Sequence, residues 1–203
     1  MTFSFTEGHS DPTVQPVPAS VVQQVDAADT TLNNPRRAVI SIGANLGNRL
    51  ETLQGAIDAL EDTPGVRIKA VSPVYETEPW GVEPGSQPSY FNAVVVLKTT
   101  LPPSSLLERA HAVEEAFHRV REERWGARTI DVDIVAYADV VSDDPVLTLP
   151  HPRAHERAFV LAPWHDVEPE AQLPGRGPVA TLLDTVTRDG VAPRKDLELR
   201  LPE

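Results

Sequence analysis

The chain of 203 residues contains no cysteine. That excludes a disulfide scaffold, a thiolate metal site and a cysteine nucleophile. Aromatic residues make up only 5% of it, so each Trp, Tyr and Phe has to be placed individually. Long apolar runs are missing too. Ala93–Leu97 falls far short of the roughly 20 residues that cross a bilayer, and a membrane is not an expected partner. Residues 1–10 have no basic stretch leading into an apolar one, so no secretory signal is read and a cytoplasmic location is expected. Positive charge is in deficit. The 18 Lys and Arg against 30 Asp and Glu leave a net charge of −12, a surface that repels polyanions, so no nucleic-acid partner is expected.

What is present is a globular composition, 40% hydrophobic and 24% charged, at a length suited to one domain with tails. Residues 1–35 are rich in Ser, Thr, Pro, Gln and Asp without periodicity and read as a disordered tail. The stretch 189–203 reads as peripheral, leaving residues 36–188 as the domain. Within it, Arg36–Ile42 predicts a strand and Gly43–Asn48 a turn with an asparagine helix cap. Leu50, Leu53, Ile57 and Leu60 form one stripe of a helix over Arg49–Asp62, stopped by Pro64-Gly65. Val66–Tyr75 alternates as a second strand, and Glu76–Ser89, with three Pro and two Gly, reads as a long loop. Tyr90–Thr99 predicts a third strand, Pro103 to about Val120 a second helix, and Thr129–Tyr137 a fourth strand. The order β-α-β-β-α-β predicts an α+β fold of the ferredoxin-like kind: an antiparallel sheet with two helices on one face, the other face free for ligands, and a C-terminal extension.

The chemistry concentrates in two segments. Side chains alternate along a strand, so Asp131 and Asp133 share one face while Ile130, Val132 and Ile134 share the other. Two carboxylates about 7 Å apart can hold Mg²⁺ between themselves and phosphate oxygens. Directly upstream lie Arg119, Arg121, Arg124 and Arg128, with Trp125 as a flat apolar wall. Arginine forks match phosphate oxygens, so a polyphosphate is the expected anion. Taken alone, two acids on a strand face can equally well be solvated; the arginines tip the reading towards a site. A second cationic cluster holds His151, Arg153, His155 and Arg157. Pro152 falls inside the HxxxH spacing, so zinc is not expected. Tyr90 and Phe159 could sandwich a planar heterocycle, and Asn92, on the strand face of Tyr90, can both donate and accept along a base-like edge.

These blocks resemble the 6-hydroxymethyl-7,8-dihydropterin pyrophosphokinase family. The resemblance is carried by Ile42–Gly47, Val74–Gly81, Gln87–Ala93, Arg124–Ile134 and Leu149–Leu161, and most specifically by the Arg-Trp-Gly…Asp-x-Asp and Pro-His-Pro…Arg-x-Phe patterns. It implies transfer of diphosphate from ATP to the pterin hydroxymethyl group, with release of AMP. By that resemblance Asp131 and Asp133 hold two Mg²⁺ ions. Arg119, Arg121 and Arg124 act with them in catalysis. ATP is contacted by Glu114, Arg119, Trp125, Arg128, Ile134, His151 and Arg157, and the pterin by Thr77, Glu78, Trp80, Tyr90, Asn92 and Phe159. The substrates are ATP and 6-hydroxymethyl-7,8-dihydropterin, and a monomer is expected. Ala127 stands where the family usually has Pro. Two rival readings keep the same sheet: a non-catalytic RNA- or ligand-binding module, and another Mg²⁺-dependent phosphotransferase. The first would want a basic face, which this chain lacks. The second would release ADP rather than AMP.

Overall fold

The computed structural model describes residues 34–79, 87–117 and 129–202. Its centre is an antiparallel sheet. Strand β1 (Arg36–Ala44) lies between β4 (Tyr90–Thr99) and β5 (Asp131–Tyr137). On its far side β4 carries β2 (Val66–Val71) and then β3 (Tyr75–Thr77). An edge strand, β10 (Val191–Pro193), completes the sheet beside β3. Four two-residue strands, β6 (Ser142–Asp143), β7 (Thr148–Leu149), β8 (Gln172–Leu173) and β9 (Gly177–Pro178), form two small hairpins outside it.

Helix α1 (Arg49–Glu61) starts where the Asn48 side chain accepts the Glu51 amide, and it buries Leu53, Ala56, Ile57 and Leu60. Gly65, at φ +83°, makes the tight exit that Pro64 forces. Helix α2 (Pro103–Ala116) begins on a proline, whose missing N–H is harmless in a first turn, and buries Leu106, Ala110 and Val113. Both helices pack on one face of the sheet, against Ile40, Ile42, Ala93, Val95, Leu97, Val132 and Ile134.

The opposite face was expected to be free. It is not. Helix α3 (Ala158–Val167) and the short α4 (Val179–Leu183) cover much of it, in a second core with Val39, Val94, Val96 and Val135. The centre of that core is Trp164, fully buried, whose indole N–H donates to Glu168 at 2.8 Å. Glu168 in turn pairs with Arg37. Coverage on both faces explains why β1 and β4 read as continuous apolar runs.

Two further expectations are corrected. The alternation over Val66–Tyr75 is two strands, not one. It breaks at Ser72-Pro73-Val74, where Ser72 and Val94 exchange hydrogen bonds through the Ser72 amide and hydroxyl. Glu76 and Thr77 consequently belong to β3 and not to the loop. The stretch from Asp189 is no peripheral tail: it supplies β10, puts Leu197 and Leu199 against the helix-side core, and pairs Arg200 with the Gln54 side chain. Among the described residues no helix is long and apolar enough to cross a membrane.

Candidate active site

Helices α3 and α4 leave one end of the sheet open. There the C-terminal end of β1 meets the starts of β4 and β5 and the strand β3, and a cleft of about 220 Å³ opens between them. Its lining includes Asp131 and Asp133 at one side, Thr77, Glu78, Tyr90 and Asn92 at another, and Arg157 and Phe159 from the start of α3. The predicted alternation of β5 is the reason the acids are here. Val132 and Ile134 are drawn into the helix-side core, which turns Asp131 and Asp133 to the cleft.

Asp133 is the hub of the charged side. Arg157 NH1 lies 3.4 Å from its Oδ2, and His151 Nε2 lies 3.8 Å from the same oxygen. His151 is fixed through its backbone amide, which donates to Val135 on β5, and through its ring. The Arg153 amide donates to Nδ1 at 3.1 Å, so in the neutral ring the proton sits on Nε2, facing the acids. Burial, reinforced by the Arg157 guanidinium, holds the His151 pKa down at about 4. Near neutral pH the Asp133 carboxylate is therefore flanked by the Arg157 guanidinium and the neutral N–H donor of His151. Burial likewise lowers the Arg157 pKa, and the Asp133 carboxylate opposes that shift.

The donor set suits Mg²⁺. Asp131 and Asp133 offer hard carboxylate oxygens on one strand face, and among the described residues no group of three or more His, Cys, Asp or Glu could enclose a metal by itself. Magnesium is usually held by one or two carboxylates, with phosphates and water completing the octahedron.

The other side of the cleft presents an amide held in a fixed orientation. Asn92 is 5% exposed, and its Nδ2 donates to Thr77 Oγ1 at 2.8 Å. That bond fixes the amide and leaves Oδ1 above Gly43. A Cβ on Gly43 would stand 2.7 Å from Asn92 Oδ1. Gly43, read as a turn residue, is thus part of β1 and forms the floor of the site, opposite Asn92 in the β1–β4 register. The change Gly43→Ala should displace the Asn92 amide and leave the fold in place. We expect a rise of about tenfold or more in the KM for whichever substrate occupies this side of the cleft, with unfolding free energy changed by only about 1 kcal/mol. Steady-state kinetics and denaturant titration of the same variant check the two halves of this expectation.

Several predicted residues are placed differently. The Ile134 side chain, expected at the nucleotide, is 3% exposed in the helix-side core and cannot face the cleft. Glu114 is buried on α2, where its Oε1 accepts the Val132 amide at 2.9 Å. It thereby holds the backbone between the two acids. Trp80, Arg119, Arg121, Arg124, Trp125 and Arg128 lie outside the described residues. Ser41, Glu156 and the segment Thr187–Val191 also line the cleft and were not anticipated as site residues, and Arg153, read only as part of the second cationic cluster, lines it too. Ser41 was legible in principle, since it shares a strand face with Gly43. The wall at 187–191 was not, because only the long-range pairing of β10 with β3 brings it there.

Comparison with known proteins gives the chain a family. Residues 39–169 match the family described as 7,8-dihydro-6-hydroxymethylpterin-pyrophosphokinase. The chain is 42% identical over 186 residues to the 2-amino-4-hydroxy-6-hydroxymethyldihydropteridine pyrophosphokinase of Mycobacterium bovis, covering 82% of this chain and 95% of the relative. To the protein of the same name from Pseudomonas aeruginosa it is 39% identical over 156 residues, covering 77% and 95%. Among solved structures, the Plasmodium falciparum HPPK-DHPS triple mutant with STZ-DHP superposes with a TM-score of 0.60 at 16% identity, over 74% of this chain and 43% of that one, a likeness of fold alone. By the extent of the family match and the identity to these relatives, the chain belongs to the 7,8-dihydro-6-hydroxymethylpterin-pyrophosphokinase family.

Proposed function

We propose that this chain, on a ferredoxin-like scaffold, transfers diphosphate from ATP to the hydroxymethyl group of 6-hydroxymethyl-7,8-dihydropterin. The observation that carries this reading is the two-sided cleft. The carboxylate pair, with Arg157 and His151 beside Asp133, shares one cavity with the bonded Asn92–Thr77 pair and with Tyr90 and Phe159. In the reaction the pterin hydroxyl oxygen bonds to the β-phosphorus of ATP, the bond from that phosphorus to the α–β bridging oxygen breaks, AMP leaves, and the hydroxyl proton is lost.

Positioning and charge neutralisation are the main demands of such a transfer. Asn92 and Thr77 orient the heterocycle by its polar edge, and Phe159 stacks on it. Arg157 and the Nε2–H of His151 bind phosphate oxygens. Asp131 and Asp133 would hold two Mg²⁺ ions, which would supply neutralisation of the phosphate charge and acidify the attacking hydroxyl. Glu114 keeps the Val132 backbone, and with it both acids, in place.

Incubation with ATP, Mg²⁺ and the reduced hydroxymethylpterin, with products separated by chromatography, tests the reading. AMP and a pterin diphosphate are expected in equal amounts. ADP in place of AMP would instead establish a simple phosphotransferase, and no pterin product would overturn the substrate.

A further inference from the structure

The face of β3 turned away from the cleft carries a charged cluster that the proposed reaction does not use. In the β3–β4 register, Tyr75 and Thr77 stand opposite Asn92 and Tyr90 on the cleft face, and Glu76 stands opposite Phe91 on the other. Glu76 Oε1 accepts the Ser89 hydroxyl at 2.6 Å and Arg49 NH1 at 3.3 Å, and its Oε2 accepts Arg194 NH1. Arg49 NH1 also donates to the Ser89 carbonyl at 2.7 Å. Both guanidiniums lie over the Phe91 ring, Arg49 at 3.6 Å and Arg194 at 5.4 Å from its centroid. A bidentate pair with Asp196, at 2.9 and 2.7 Å, aims the Arg194 fork.

The location gives this cluster its meaning. Glu76 and Ser89 sit where the chain leaves β3 and where it re-enters the sheet just before β4. Their bond ties β3 to the residue just before β4. Arg194 follows β10 directly, and its amide donates to the Val74 carbonyl at 2.8 Å, so backbone and side chain together hold β3 from its outer edge. One residue beyond β3, the Glu78 amide donates to the Gly190 carbonyl at 3.2 Å. This seats the 187–190 wall of the cleft, with Gly190 at φ +70° in the turn. The Ser89 hydroxyl, joined by the two guanidiniums, holds the Glu76 carboxyl below its ordinary pKa, so the clamp stays charged.

We propose that Arg194, acting through Glu76, is a positioning residue for the heterocycle side of the cleft. It fixes β3, and hence Thr77 and its partner Asn92, without touching the substrate. This rests on the proposed pterin reaction. A surface ion pair with no such role would be worth little and would not discriminate between substrates. A clamp on β3 makes a sharper demand: the ring side should loosen and the phosphate side on β5 should not.

The test compares wild type, Arg194→Ala, Arg194→Lys and Glu76→Gln. Binding of the reduced hydroxymethylpterin is read by fluorescence titration, and steady-state constants are read for both substrates. Arg194→Ala should raise the pterin Kd and KM about fivefold to tenfold and leave kcat and the ATP KM within about twofold. Arg194→Lys should recover most of the loss. Glu76→Gln should reproduce it, with little further change when combined with Arg194→Ala. Equal pterin affinity in Arg194→Ala and wild type, parallel losses for both substrates, or a lysine variant no better than alanine would each overturn the proposal. If Arg194→Ala does not fold, Glu76→Gln, which keeps the side chain's shape and removes the charge that Arg194 pairs with, is read by the same affinity and KM criteria. Failure of the wild type itself to bind the pterin would instead remove the proposed reaction, and the positioning role with it.

Discussion

Asp131→Asn and Asp133→Asn are each expected to lower kcat by about 10³-fold, or ~4 kcal/mol of transition-state stabilisation, with the far-ultraviolet circular dichroism unchanged. Neither side chain is part of a core. Both are partly exposed on the cleft face of β5, and the residues that hold the strand, Val132 and Ile134, lie on its other face. The amide is close in shape to the carboxylate but removes the charge that a divalent cation requires. The two variants should differ in the ground state. Asp133 neutralises Arg157, and without that carboxylate the guanidinium is released towards phosphate. Calorimetry with ATP in the absence of divalent cation should therefore show Asp133→Asn binding at least as tightly as wild type, with Asp131→Asn nearer to it. Turnover close to normal with Mg²⁺ in either variant would remove the metal assignment.

Asn92→Leu should reduce kcat/KM for the pterin by about 100-fold or more and change the ATP KM little. Leucine has a similar shape and suits a position that is 5% exposed, so the fold should survive. What is lost is an amide whose orientation Thr77 fixes and whose oxygen clears the β1 backbone only because residue 43 is glycine. A buried polar edge on the substrate would then face methyl groups, which is far more unfavourable than a missing contact. Single-turnover kinetics at saturating ATP separates this from any effect on phosphate binding. A variant that handles the pterin as wild type does would show that Asn92 is a packing residue.

Much of the site was legible because it follows from local alternation. Asp131-Val132-Asp133-Ile134 assigns its own faces once β5 is recognised, since the apolar pair must enter a core. Tyr90 and Asn92 were placed on one face by the same reasoning. Helix α1 followed from the spacing of Leu53, Ile57 and Leu60. What stayed hidden depends on partners distant in the chain. Nothing near Gly43 shows that the amide of Asn92 will sit on it. Glu114 was read towards the nucleotide, and only the packing of α2 under β5 reveals that it caps the Val132 amide. The Pro73 break between β2 and β3 was masked by good alternation on both sides. The covered second face did leave a trace. Ala93–Leu97 is apolar at five successive positions, which is the pattern of a strand buried on both faces, whereas a half-exposed strand would alternate.

The burial of Trp164 has a spectroscopic consequence. The chain has three tryptophans, at 80, 125 and 164. Trp164 is sealed beneath the sheet, bonded to Glu168 and with the Arg37 guanidinium 5.7 Å from its ring centroid. Its emission should be blue-shifted, poorly reached by iodide and indifferent to substrates, a constant background until the protein unfolds. Any change in tryptophan emission on adding ATP or pterin can then be assigned to Trp80 or Trp125, the two indoles in the segments that the sequence places beside the heterocycle and the phosphates. A Trp164→Phe variant, which keeps an aromatic ring in that core, would remove the background and leave an emission that reports on Trp80 and Trp125 alone.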